Sequence, residues 1–441
     1  MAQTLKFGNG TWATKKGSIL AYSDTNENYK PLPFNYTGAG KGTRVNKEGL
    51  IEVVENDIPR IDYLDSEDGV FLLEKAATNL VTYSEDFSQS AWVKGNSSIE
   101  SDTLISPSGI LNGSTLTDNT ANTIHRLRYS VSLSASTNYG LSIFAKKGTL
   151  SNIQIALINT SNSSTASRVF DLENGALGES ITSGSSGTLS DSKITNYGNG
   201  WYRCEITAQL NSTPNAYQIT LATKSNGNAT TVSQITYDGD GSGNVYLYGA
   251  MLEQSSQSSS YIPTQGTIQT RVAETASGSG NSEVFSDSQG VLFANIAANA
   301  NDGVNRYITI SDGTTSNRVA LRIDTDNKIG GFVTDGTSQA SFRYEINTLN
   351  FSKVAIKYKT NDFSLFVNGF EVLTDLSGST PSGLNVMKYK NSISGDDFYG
   401  KTKEISYYDE VLTDEELETL TSYRTWEEMV KELNLNIIHN E

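Results

Sequence analysis

Apolar and polar residues alternate with a period of two along much of this chain. Tyr139, Leu141, Ile143 and Ala145 alternate with small residues and Phe144, and Ile153, Ile155 and Leu157 repeat the pattern. Val319, Leu321 and Ile323 alternate with Arg318, Arg322 and Asp324. Successive side chains of a strand point to opposite faces, so this period predicts half-buried β-strands. Between the runs stand short clusters such as Ser183-Gly184-Ser185-Ser186-Gly187 and Asp238-Gly239-Asp240-Gly241-Ser242-Gly243, which suit the turns of antiparallel sandwiches. Strands alternating with amphipathic helices are missing, so a doubly wound nucleotide-binding fold has no support. The expected class is mainly β: two antiparallel β-sandwich (jelly-roll) domains after an irregular N-terminal segment, with a short C-terminal helix.

That helix has its own signals. Thr413 followed three residues later by Glu416 forms a capping box, and Asp414 and Glu415 add negative charge at the favourable end of the helix dipole. Leu417, Leu420, Tyr423, Trp426, Val430 and Leu433 then recur at steps of three and four, predicting one apolar stripe. The run is too short for a coiled coil, so the stripe is expected to dock on its own domain, with an oligomer seam as the other reading.

A length of 441 residues sets a prior of about three domains. Gln254 to Ser260 is almost wholly Ser and Gln, and Ala276-Ser277-Gly278-Ser279-Gly280-Asn281-Ser282 has the composition of a flexible linker, which places the main break near residue 276. Residues 1–78 differ in character, with Pro31, Pro33 and charges at Asp57, Arg60, Asp62, Asp65, Glu67 and Asp68. They read as an attachment or bracing segment, followed by one sandwich over 79–275, a second over 276–425 and a helical tail over 426–441.

Charge and composition narrow the function. Thirty-three basic against forty-nine acidic residues leave a net charge of −16, which opposes nucleic-acid coating and binding to anionic lipid. One cysteine, Cys204, and two histidines, His125 and His439, give zinc and haem sites almost no ligands. No stretch approaches the roughly 20 apolar residues that span a bilayer. The start, Met1-Ala2-Gln3-Thr4-Leu5-Lys6, has no apolar h-region, so synthesis in a cytoplasm without a secretion signal is expected, along with no membrane insertion.

Candidate chemistry is sparse. Gly38-Ala39-Gly40-Lys41-Gly42-Thr43 fails the phosphate-loop pattern because Gly42, not Ser or Thr, follows Lys41. Asp238, Asp240 and Ser242 resemble the opening of a calcium loop, but Gly249 stands where an EF-hand needs its bidentate carboxylate. A looser calcium site is one reading of those three residues, and an ordinary acidic hairpin turn is the other. No Gly-x-Ser-x-Gly elbow supplies a nucleophile, and Cys204 lies in a strand pattern that makes it a core residue. No enzymatic activity and no cofactor other than that calcium are expected.

The aromatic residues suit sugars, whose C–H faces lie on flat rings while Asn, Asp, Gln and Arg match their hydroxyls. Trp92, Trp201, Tyr202, Tyr246 and Tyr248 are the carbohydrate-binding candidates, each weighed against a role in the core.

Two resemblances sharpen this picture. Val354-Ala355-Ile356-Lys357-Tyr358-Lys359, the turn at Asn361-Asp362 and Phe363 to Val372, turned by Asn368-Gly369, form consecutive hairpins. With Tyr399 to Leu417 after them, they resemble the concanavalin A-like lectin/laminin-G jelly roll, over about residues 283–425. The middle region is similar to carbohydrate-binding-like sandwiches of bacteriophage tail and capsid appendages. Thr78 to Phe87 with Ala91-Trp92, Tyr139 to Lys147, Gly198 to Arg203 and Val245 to Glu253 closing on Ser260 to Thr264 carry that likeness. Phe7 to Ala13 and Thr43 to Ile51 also resemble openings of phage structural proteins.

These resemblances imply a virion component, a head- or tail-fibre-like appendage that adheres to host cell-surface glycans. Its implied partners are other virion structural proteins and copies of itself, with a trimer preferred. The alternatives are a virion-associated polysaccharide depolymerase, whose Glu-x-Asp-x-x-Glu strand is not found here, and a purely structural collar or decoration protein without sugar binding.

Overall fold

Alternating Val, Ile, Leu, Phe and Tyr form antiparallel strands through most of the chain, and the fold is mainly β. The structure is a computed structural model that describes residues 4–23, 30–183, 187–222, 235–393, 395–433 and 435. It divides into two compact units. Met1–Ala39, Glu55–Lys75 and Ala273–Glu441 form the first, and Gly40–Val54 with Ala76–Val272 form the second.

The second unit has two six-stranded sheets. One runs in the order Trp92–Gly95, Arg126–Ser130, Ala216–Ala222, Asn152–Asn159, Ser164–Asp171, Ala176–Ser183. The other runs Ser97–Ile105, Leu111–Asp118, Asn244–Gln254, Tyr139–Lys147, Trp201–Leu210, Gly187–Asn196. Leu141 and Ile143 of one sheet share a core with Ile153, Ile155 and Leu157 of the other, as alternation requires. Cys204 is buried there, and burial pushes its thiol pKa well up, so it behaves as a small apolar residue. His125 is also buried, with Nδ1 2.7 Å from the Asn96 carbonyl.

In the first unit the strand Gly400–Tyr408 lies beside Gln289–Ala298, and that sheet continues through Ser352–Lys359 and Asp362–Val367 to the edge strand Phe370–Asp375. The facing sheet runs through Gln269–Ser279, Val386–Lys388, Arg306–Ser311, Asn317–Ile323, Ile329–Asp335 and Thr337–Tyr344.

Residues 1–78 do not stand apart as a segment of their own. Leu5–Gly8 pairs with Gly400–Tyr408 (Leu5 opposite Tyr407, Phe7 opposite Ile405), and Phe71 pairs with Thr402 of the same strand. Leu5, Phe7, Phe34, Ile61 and Phe71 are core residues of the jelly roll. The strands of this stretch are only two to six residues long, too short to show a clear alternation in the sequence.

The stretch expected to be a linker is likewise a strand as far as Ser279. Ser277 pairs with Lys388, Ala276 is buried, and the Ser279 hydroxyl donates to the Leu32 carbonyl at 2.7 Å. Small residues here reflect close packing.

The C-terminal stripe forms two helices, Asp414–Thr421 and Trp426–Glu432. Thr413 makes the expected capping box with Glu416. Ser422 then adopts extended backbone and Thr425 starts a new cap, breaking the single helix implied by the spacing. Leu417 and Leu420 pack on Phe293, Ala355, Phe366 and Tyr408 of their own unit, whereas Trp426 is 61% exposed. Among the described residues, no helix is long and apolar enough to cross a membrane.

Candidate functional site

In Asn317–Ile323, Val319, Leu321 and Ile323 enter the core, which turns Arg318, Ala320 and Arg322 to the opposite face of the sheet. Register then assembles a site on that face. Ala320 lies between Thr309 and Phe332 on the neighbouring strands, Arg322 opposite Tyr307, and Arg318 opposite Ser311 and Thr334. Lys388 pairs with Thr309 from the next strand.

Phe332 is the floor of this site. The Arg318 guanidinium carbon stands 4.6 Å from its ring centroid and that of Arg322 5.5 Å, within cation–π range. Tyr307 meets the same ring edge-on at 5.8 Å. Phe332 and Tyr307 are buried under the arginines, which are half-buried. Among the described residues no ion pair joins Arg318 or Arg322 to a carboxylate, and the one acceptor found for Arg318 is the neutral Asn391 side chain. Arg343, one strand further out, is by contrast paired with Asp324 and Asp326.

The surroundings of these cations disfavour their charge. Burial lowers the Arg318 pKa from its usual value, against the opposing pull of Tyr307 and with Arg322 adding to the lowering. Burial also lowers Lys388, with Lys390 adding to the effect, while its Nζ donates to the Ser392 carbonyl at 2.7 Å. The Thr309 hydroxyl is 0% exposed and has no hydrogen-bond partner. The Nε–H groups of both arginines are likewise shut from water without an acceptor.

The residues selected from sequence lie in the second unit, and three of them are buried. Trp92 is 1% exposed, packed edge-on against Phe87 and Tyr217, with its indole N–H donated to the Tyr83 carbonyl at 2.8 Å. Trp201 is 2% exposed and donates to the Ile105 carbonyl at 3.1 Å. Tyr248 is 3% exposed, against Phe144 and Tyr261, and donates to Glu85 at 3.0 Å. Tyr261 covers its side of the sheet. Tyr202 faces the core and is partly buried, and Tyr246 is half-buried beside Lys146, which also pairs with Trp201. Trp201, Tyr246 and Tyr248 thus share one sheet face, while Trp92 and Tyr202 line the interior.

The acidic turn is held by its own backbone. The Asp240 carboxylate accepts from the Ser242 N–H at 2.8 Å and the Ser242 hydroxyl at 2.7 Å, which lowers its pKa. Asp118 accepts the Gly241 and Gly243 N–H groups, each at 3.0 Å, and Asp238 is exposed. Among the described residues, no group of three or more His, Cys, Asp or Glu side chains is placed to hold a metal ion.

Reasoning from sequence passed over Arg318 and Arg322 as the polar positions of a strand. Their spacing of four, which puts two cations on one face with no acidic residue between them, was the available signal.

No family model matches the chain, and no curated protein matches it. Solved structures similar to parts of it include the Ruminococcus gnavus IT-sialidase CBM40 bound to alpha2,3 sialyllactose, at 18% identity over 31% of this chain and 84% of that one, with a TM-score of 0.28. Domains LG4-5 of the mouse laminin alpha1 chain are similar at 12% identity over 65% and 86%, with a TM-score of 0.24. The Trypanosoma rangeli sialidase in complex with sialic acid is similar at 10% identity over 92% and 65%, with a TM-score of 0.28. Likenesses this distant decide nothing about function.

Proposed function

We propose that this chain is a glycan-binding appendage protein of a bacteriophage particle, and that the saccharide lies on the Arg318, Arg322 and Lys388 face of the first unit. The observation that carries the binding reading is the arginine pair on Phe332. Two guanidinia without acidic partners among the described residues are held over one buried ring in a protein whose net charge is −16. Planar, multiply donating groups of this kind match the oxygens of a saccharide, and prior ordering by the ring reduces the entropy lost on binding. Recognition is non-covalent.

The virion role rests on the resemblance of the strands around Trp92, Trp201 and Tyr246 to phage appendage sandwiches. In such a particle the chain assembles as a homo-oligomer, a trimer by preference, and repeated weak sites gain strength by avidity.

A glycan array with the intact chain tests the binding reading, and an array without any bound glycan would sink it. Antibody labelling of intact particles tests the virion role, with label on head, neck or tail expected. Release of reducing ends from host polysaccharide would replace adhesion with hydrolysis.

A further inference from the structure

We infer that the ligand of this face is an acidic saccharide, whose oxyanion is held between Arg318 and Arg322; the inference rests on the glycan-binding reading above. Phe332 and Tyr307 are buried beneath the arginines, so neither ring offers a stacking surface to a neutral sugar. What the face presents is positive charge. Arg318 and Arg322 flank Ala320 on one strand, and Lys388 stands two strands away across Thr309.

A guanidinium has five donors in a planar fork that matches carboxylate and sulfate oxygens, and charge-assisted bonds of this kind are the strong ones. Two cations over one ring repel each other, an anion bound to both relieves that repulsion, and no carboxylate of the described residues forms an ion pair with either. The net charge of −16 does not forbid this, because charges beyond a Debye length of about 10 Å are largely screened while the local pair is not. The whole-chain charge opposes anionic partners; the local face reverses that balance.

Intact protein should be titrated with oligogalacturonide and a sialylated oligosaccharide as carboxylated probes, a sulfated oligosaccharide, and the carboxyl-reduced form of each carboxylated probe. Binding of a carboxylated or sulfated probe is expected, and the probe that binds identifies the oxyanion. Carboxyl reduction should weaken a carboxylated ligand about tenfold or more, and Arg318→Gln with Arg322→Gln should weaken any acidic ligand to the same extent. Raising the salt concentration should weaken it further. Arg318→Lys with Arg322→Lys keeps the charge and the fold but removes the forks, and an intermediate affinity is expected. A carboxyl-reduced probe bound as well as its parent, or affinity within twofold after both arginine replacements, overturns the inference. Neutral saccharides bound equally well by wild type and arginine variants would leave glycan binding standing and remove both the acidic class and the placement of the saccharide on this face. No binding to any saccharide removes glycan binding as well.

Discussion

Arg60 and Glu274 lie 214 positions apart and meet as a forked ion pair closed off from water. Arg60 Nε donates to Glu274 Oε1 at 2.7 Å, and a second guanidinium nitrogen donates to Glu274 Oε2. That second nitrogen also reaches Glu74 Oε2 at 2.8 Å. The Tyr36 hydroxyl and the Glu74 N–H donate to Glu274 at 2.6 and 2.8 Å, and the tyrosine pKa is driven up by burial and by the carboxylate. The group joins three stretches of the first unit that are remote in sequence.

Replacing the cation in this group should be severe. Arg60→Met removes the guanidinium that lies between Glu74 and the fully buried Glu274, and the expected loss is about 3–5 kcal/mol of unfolding free energy. Arg60→Met combined with Glu74→Gln and Glu274→Gln, which removes the charges together, should lose less. Urea unfolding of the three proteins decides; a loss below about 1 kcal/mol for the single variant would show that the pair is not structural.

The N-terminal strand makes a second prediction. Phe7 is fully buried and meets Trp12, Phe34, Phe71 and Tyr389 at centroid distances of 5.2 to 6.0 Å. Phe7→Ala should destabilise the first unit by about 3–5 kcal/mol and speed hydrogen exchange along Gly400–Tyr408, its pairing partner. An N-terminal segment acting only as an external brace would leave that strand's exchange unchanged.

Much of this fold was legible as period-two alternation, because a strand with one buried face writes its geometry directly into the sequence. The hairpins of Ser352–Lys359, Asp362–Val367 and Phe370–Asp375 and the Thr413 cap were read for that reason. The discontinuity of the first unit was not, because pairing between Leu5 and Tyr407 is a contact across the whole chain and leaves no local mark. The site was legible only in part. Trp92, Trp201 and Tyr248 are strong sugar-binding residue types, but whether a ring is open depends on what covers it. Tyr261 covers Tyr248, and the indole N–H groups of both tryptophans are already taken by backbone carbonyls.

That difference is measurable. Trp92→Ala removes a core side chain and should lower the stability of the second unit by about 3–5 kcal/mol. Tyr246→Ala, at a half-buried position, should change it by less than about 1 kcal/mol. Thermal unfolding and glycan titration of both variants should show binding retained in Tyr246→Ala. Loss of binding without loss of stability in that variant would shift the saccharide site to the second unit.

The last prediction concerns pH and a buried carboxyl of the second unit. Glu253 accepts from the Ser259 N–H at 2.6 Å and the Ser259 hydroxyl at 2.9 Å, so it fastens the chain that follows its own strand. Burial pushes its pKa up to about 7, against the opposing pull of Ser259, Arg271 and Arg203. The folded protein therefore holds a proton that the unfolded chain, with a pKa of 4.5, has already released. This raised value contributes stability that is fully present below pH 4.5 and is lost as the pH rises through 7, on the order of 3 kcal/mol across the window. Glu253→Gln, which cannot ionise, should flatten that dependence and leave the variant more stable than wild type at pH 8 but not at pH 4.5. Hydrogen exchange of Asn244–Gln254 amides between pH 4.5 and 8, corrected for the intrinsic rate, reads the effect locally. Equal slopes in wild type and variant would mean that Arg203 and Arg271 keep Glu253 ionised throughout.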